Sequence, residues 1–151
     1  TSLQLDQVRH VQDLLDATEA CLTRAIETIG PGVEVWEVSR AVQEQAELGG
    51  YGIVREYAGH GIGARMHEDP QVPNYVDGGP RGGSVTLRPG MVICVEPMLN
   101  IGTAEVRVLP DNWTVVTRDG KPSAHFEHMI AVTEDGSEIL TWYATEETAV
   151  G

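Results

Sequence analysis

With 151 residues, 41% of them apolar, the chain can bury about two thirds of its unfolded surface and fits a single domain, residues 1–151, without a disulfide or metal staple. No apolar run approaches the ~18 residues a membrane span requires, and no basic start followed by a continuous apolar stretch marks an export signal. Ten Lys and Arg against 23 Asp and Glu give a net charge of −13, which repels phosphate backbones and anionic lipid, so no nucleic-acid or membrane partner is expected.

From Leu5 to Ile29 apolar residues recur at three- and four-residue steps, which predicts an amphipathic helix ending at Gly30-Pro31-Gly32. A second helix is expected with Val35, Val38, Val42 and Ala46 on one face and Gly49-Gly50 as its stop. Beyond residue 50 the pattern shifts to short β-like runs: Met91–Glu96, Glu105–Leu109, Thr114–Thr117, Ala124–Thr133 and Glu138–Trp142. Alternation along Ala124–Val132 puts His125, Glu127, Met129 and Ala131 on one face and Phe126, His128, Ile130 and Val132 on the other. Asp77–Ser84, with four glycines in eight residues, reads as a flexible surface loop. Helices first and strands afterwards predict an α+β domain, its helices on one face of a largely antiparallel sheet. Cys21 falls in the first helix and Cys94 in an apolar strand, with neither the density nor the spacing of a disulfide framework or a thiolate metal site. A reducing, cytoplasmic setting is expected.

The densest polar cluster is Arg55–Pro70, where His60 and His67 lie in what reads as a glycine-rich turn. Gly59, Gly61 and Gly63 let the backbone approach a ligand and let His60 point into a cleft. A histidine alone is more often a hydrogen-bonded structural residue. Glu96, however, closes the apolar run Met91–Val95, and Glu127 sits among apolar neighbours. A buried carboxylate is costly unless a cation or hydrogen bonds compensate it, and an arginine would serve for either one. Taken with His60, the two carboxylates form a nitrogen-and-oxygen set suited to divalent Mn, Fe, Co or Zn.

The blocks REYAGHGIGARMHEDPQVPNY, LRPGMVICVEPMLNIG, DNWTVVTRDGKPSA and FEHMIAVTEDGSEILT resemble, in order, the C-terminal half of type I methionine aminopeptidases. The resemblance begins in the first helix and runs to about Trp142. It implies half of a pita-bread fold: two N-terminal helices packed on a curved, mainly antiparallel sheet. It also implies up to two divalent metal ions per completed site, with His60 and Glu96 on one of them and Glu127 bridging both. Glu96 would shuttle a proton, His67 would donate to the scissile carbonyl and the developing oxyanion, and Met66 and Trp113 would line the pocket for a methionine side chain.

In the resembled family two aspartate ligands come from the N-terminal half, and by this reading the chain begins too late to hold them. The expectation is therefore an aminopeptidase fragment acting on a peptide or nascent-chain N-terminus and completed by a second copy or a complementing N-terminal half. His125 stands where the family usually has glutamine and shares a face with Glu127. It is expected as a hydrogen-bonding group, with a role as extra ligand the alternative. Two other functions remain open on the residues: a non-peptidase binding or assembly module, and a mononuclear metalloenzyme built on His60, Glu96 and Glu127, with or without His125.

Overall fold

In a computed structural model of the chain, which describes residues 2–78 and 84–142, two helices precede a set of short strands. Helix α1 spans Ser2–Thr28 and α2 spans Val35–Gly49. The strands that follow are β1 (Gly52–Ile53), β2 (Ala58–Gly61), β3 (Glu68–Pro73), β4 (Val92–Val95) and β5 (Met98–Asn100). After them come β6 (Val106–Val108), β7 (Val115–Thr117), β8 (Ser123–His125), β9 (His128–Val132) and β10 (Ser137–Ile139). The expected loop at Asp77–Ser84 has residues 79–83 outside the described residues.

The helical stops fall where glycine and proline placed them. The α2 start is held by the Glu37 carboxylate, which accepts the Glu34 amide at 3.0 Å. At its end Gly50 takes the left-handed conformation, φ 69°, and returns its amide to the last-turn carbonyls of Ala46 and Glu47. The apolar stripes of both helices, among them Leu14, Leu22, Ala25, Val38 and Val42, pack on Val72, Ile93, Val95, Leu99, Ile130 and Val132 of the sheets. Each such side chain removed from water contributes about 1.5–3 kcal/mol, which fixes the helical layer on one side of the strands.

The main sheet has the order β10-β9-β4-β2-β3, every pairing antiparallel, beside a three-stranded sheet β1-β5-β8 and the hairpin β6-β7. This is the α+β arrangement expected. Two local expectations are corrected. The glycine-rich segment at His60 is a strand, β2, running between β3 and β4. Its glycines serve close approach, since a Cβ at Gly59 would collide with the Cys94 carbonyl oxygen, and one at Gly61 with that of Asp69.

The second correction concerns Ala124–Thr133, which is two strands and not one. The break at Phe126-Glu127 faces an equivalent break at Glu96-Pro97, where proline has no amide to give to a ladder. Register is nevertheless kept across the bend. Val95 pairs with His128 before it and Met98 with His125 after it, so Glu96 lies opposite Glu127 with no residue gained or lost. The strand expectation failed at the break, while the face assignment of His125 and Glu127 survived it.

Candidate metal centre

One face of the main sheet carries the core; the other carries the chemistry. His60 of β2 is the register partner of Cys94 in β4, and Cys94 is in turn the partner of Met129 in β9. Register partners project to the same face, and residues two further along the same strand continue it. Glu96 follows Cys94 at that step, and Glu127 precedes Met129. His60, Cys94, Glu96 and Glu127 thereby converge on the sheet face that turns away from the helices.

The His60 Nδ1 lies 2.9 Å from the Gly61 carbonyl, which can only accept, so Nδ1 carries a proton and donates it. In the neutral ring that leaves Nε2 as a lone pair aimed into the cluster, 3.6 Å from Glu96 Oε1. Both side chains are only 13% exposed. Asn74 holds Glu96 from behind, its amide donating to the Glu96 backbone carbonyl at 3.1 Å. The other Glu96 oxygen, Oε2, faces His125 Nε2 at 3.5 Å. Ligand atoms of His60, Cys94 and Glu127 all lie within 4.8 Å of one another. Burial, and then the Glu127 carboxylate that accepts from it, push the Cys94 thiol up to about 12.

An arginine partner for either glutamate is not found: among the described residues Glu96 pairs only with His60 and His125, and no Lys or Arg reaches Glu127. Glu127, expected among apolar neighbours, is exposed where the strand breaks; with only imidazoles beside Glu96, a divalent cation is the partner that the two opposed carboxylates and His60 fit. His67, on the exposed segment between β2 and β3, brings its ring within 4.2 Å of the His60 ring centroid. A groove of about 590 Å³ opens there, lined in part by Arg55, Tyr57, His60, His67, Gln71 and Tyr75. That volume falls in the roughly 300–1,000 Å³ range of ligand pockets. Met66 and Trp113 are not core residues; they stand 71% and 86% exposed.

Cys94 is the member of this cluster that sequence reasoning missed. Its spacing to Cys21 says nothing, because its neighbours are His60 and Glu127 and not the other thiol. The signal that would have found it is its place two residues before Glu96 on a strand, hence on the same face.

The sequence matches metallopeptidase family M24 over residues 4–134. The chain belongs to that family. M24 relatives include methionine aminopeptidase 1 of Bacillus subtilis, 49% identical over 128 residues, which are 85% of this chain and 50% of that protein. The methionine aminopeptidase of Escherichia coli is 45% identical over 124 residues, covering 82% of this chain and 46% of that one. The crystal structure of the Thermotoga maritima methionine aminopeptidase superposes with a TM-score of 0.83 at 46% identity, over 89% of this chain and 53% of that one. The chain thus spans about half the length of the curated relatives it matches. Its helices and antiparallel strands form half of the M24 pita-bread fold.

The position of His125 within this M24 chain yields a test. His125 is 45% exposed, and its Nε2 stands 3.5 Å from Glu96 Oε2 at the edge of the cluster. His125→Gln is expected to leave bound metal unchanged by elemental analysis. Loss of the ion would make His125 a ligand.

Proposed function

We propose that this chain forms part of a metal-dependent aminopeptidase that removes an N-terminal methionine from peptides or nascent chains in the cytoplasm. The observation that carries the reading is the convergence of His60, Glu96 and Glu127 on one sheet face with no arginine or lysine among the described residues paired to either glutamate. His60 and Glu96 would hold one divalent ion of Mn, Fe, Co or Zn, and Glu127 would bridge to a second. Such ions, when bound, supply an activated water and polarise the carbonyl.

The chain's own residues do the rest. Glu96, fixed at its backbone by Asn74 and flanked by two imidazoles, takes up and hands on the proton at its carboxylate. His67 donates to the substrate carbonyl as negative charge develops on its oxygen, a preorganised contact worth about 2–4 kcal/mol in the transition state. Met66 and Trp113, exposed as they are, have apolar surface to lose to a methionine side chain. The further ligands of a two-ion centre would come from another segment, a complementing N-terminal half, or a second copy related by a twofold axis, which is the commonest closed assembly.

Release of methionine from Met-Ala-Ser, with each of the four ions added in turn, tests the reading. Ion-dependent release is expected from the completed assembly. Its absence at every metal loading, with and without a complementing half, defeats the proposal. The donors within this chain suffice for one ion, which favours a mononuclear centre as the second reading. One ion per chain by elemental analysis, against two, separates them.

A further inference from the structure

The aminopeptidase reading leaves Cys94 without a task, yet the thiol sits in the middle of the candidate centre. Resting on the reading that a divalent ion binds here, we propose that Cys94 is itself an inner ligand. The ion takes His60 Nε2, Cys94 Sγ and a Glu127 oxygen, with Glu96 completing the set. The site is then a mixed nitrogen, sulfur and oxygen centre that favours zinc or cobalt over manganese.

Three observations support this. First, the sulfur is placed and held: Cys94 lies in β4, the strand flanked by β2 and β9, and its register partner across β2 is His60. Second, the spacing suits one small ion. In a tetrahedral site with bonds of about 2.0–2.3 Å, neighbouring donors stand about 3.3–3.8 Å apart. The His60–Glu96 separation of 3.6 Å already meets that, and the His60, Cys94 and Glu127 donors, all within 4.8 Å, need close by at most about 1.0–1.5 Å. Third, the two cysteines of the chain are buried alike but in different company. Cys21, fully buried, belongs to the hydrophobic core cluster. Cys94, 2% exposed, is outside that cluster, and its Sγ lies within 4.8 Å of His60 and Glu127 donor atoms.

On loading, the Cys94 S–H bond breaks as the sulfur–metal bond forms, and the proton passes to solvent. Soft thiolate selects zinc and cobalt, whereas carboxylate and water suit manganese.

Cobalt supplies a readout that does not depend on turnover, because a thiolate bound to Co²⁺ absorbs in the near ultraviolet by sulfur-to-metal charge transfer. Carboxylate and imidazole ligands give only the weaker visible bands. Co²⁺ added to the metal-free protein, in the assembly in which it is isolated, is expected to give both sets of bands. Cys94→Ala and Cys94→Ser are each expected to lose the near-ultraviolet band and keep the visible ones. Zinc affinity in these variants is expected to fall by about 10–100-fold or more, and manganese affinity by less than about threefold. Visible bands without the near-ultraviolet band in the unsubstituted protein overturn the thiolate ligand and leave the metal centre standing. A near-ultraviolet band that survives Cys94→Ala also overturns it. No cobalt uptake at all defeats both this proposal and the reading it rests on. Should circular dichroism show both variants unfolded, the spectrum of the unsubstituted protein decides alone.

Discussion

Glu127→Ala is expected to abolish binding of a divalent ion, whereas His67→Ala leaves the ion in place and slows turnover. Glu127 lies within 4.8 Å of the His60 and Cys94 donors and opposite Glu96, so deleting it takes away an anion from the middle of the set. Loss of even an outer partner of a metal site costs roughly 10–100-fold in affinity, and an anionic inner ligand costs more than that. His67 stands beside the His60 ring, 4.2 Å away by centroid, and is exposed on the rim of the groove. Its removal is expected to change affinity by less than about threefold and the rate by about 30–1,000-fold, the equivalent of 2–4 kcal/mol of transition-state stabilisation. Equilibrium dialysis with zinc on both variants checks the division. Equal loss of the ion would mean that the roles have been wrongly assigned.

Gly59→Ala is expected to be the most damaging single methyl in the described part of the chain. The new Cβ would run into the Cys94 carbonyl oxygen, with the Val72 carbonyl oxygen 3.2 Å away on the other side. Overpacking costs about 1–3 kcal/mol where side chains can give way; here both obstacles are strand backbone, so the upper end applies. For a chain of this size about 3 kcal/mol lowers the melting temperature by roughly 6–12 °C. The damage reaches the site as well, since β2 and β4 must part where His60 faces Cys94. Gly136→Ala is the control: a Cβ there meets nothing within 4 Å and is expected to leave the melt unchanged. Thermal unfolding by circular dichroism of both variants is the measurement. A Gly59→Ala protein that melts with the control would remove the packing argument.

The helices were legible because a 3.6-residue apolar period is local and Gly30-Pro31-Gly32 and Gly49-Gly50 are unambiguous stops. The strand β2 was not, because glycine signals a turn and a close backbone approach in the same way, and only the neighbouring Cys94 carbonyl tells them apart. The candidate donors His60, Glu96 and Glu127 could be named from their blocks; the cost of burying a carboxylate applies to Glu96, whose side chain is 13% exposed, but not to Glu127, which is exposed because the strand breaks at its position. Cys94 escaped because its relevance comes from cross-strand pairing with a histidine far away in sequence. The break at Phe126-Glu127 was invisible to alternation, since the bend keeps the parity of side chains on both strands. That same parity is why His125 and Glu127 were placed on the correct face from a wrong strand.

The unbroken register through Glu96-Pro97 and Phe126-Glu127 also sets how the centre can be lost in evolution. Substitutions beside the donors change their surroundings one group at a time. Deleting one residue between Ala124 and Glu127 instead reverses the sense of everything upstream of the gap relative to β9, because a one-residue slip exchanges the two faces of a strand. His125 would then turn from Glu96 toward the helical layer and Ala124 out of the core toward the site, two changes from one event. Lineages that keep the site should therefore show length invariance in these two segments even where their sequences drift, and a single-residue gap at the bend would be a sharper sign of a rebuilt Glu96 surrounding than any single replacement beside it.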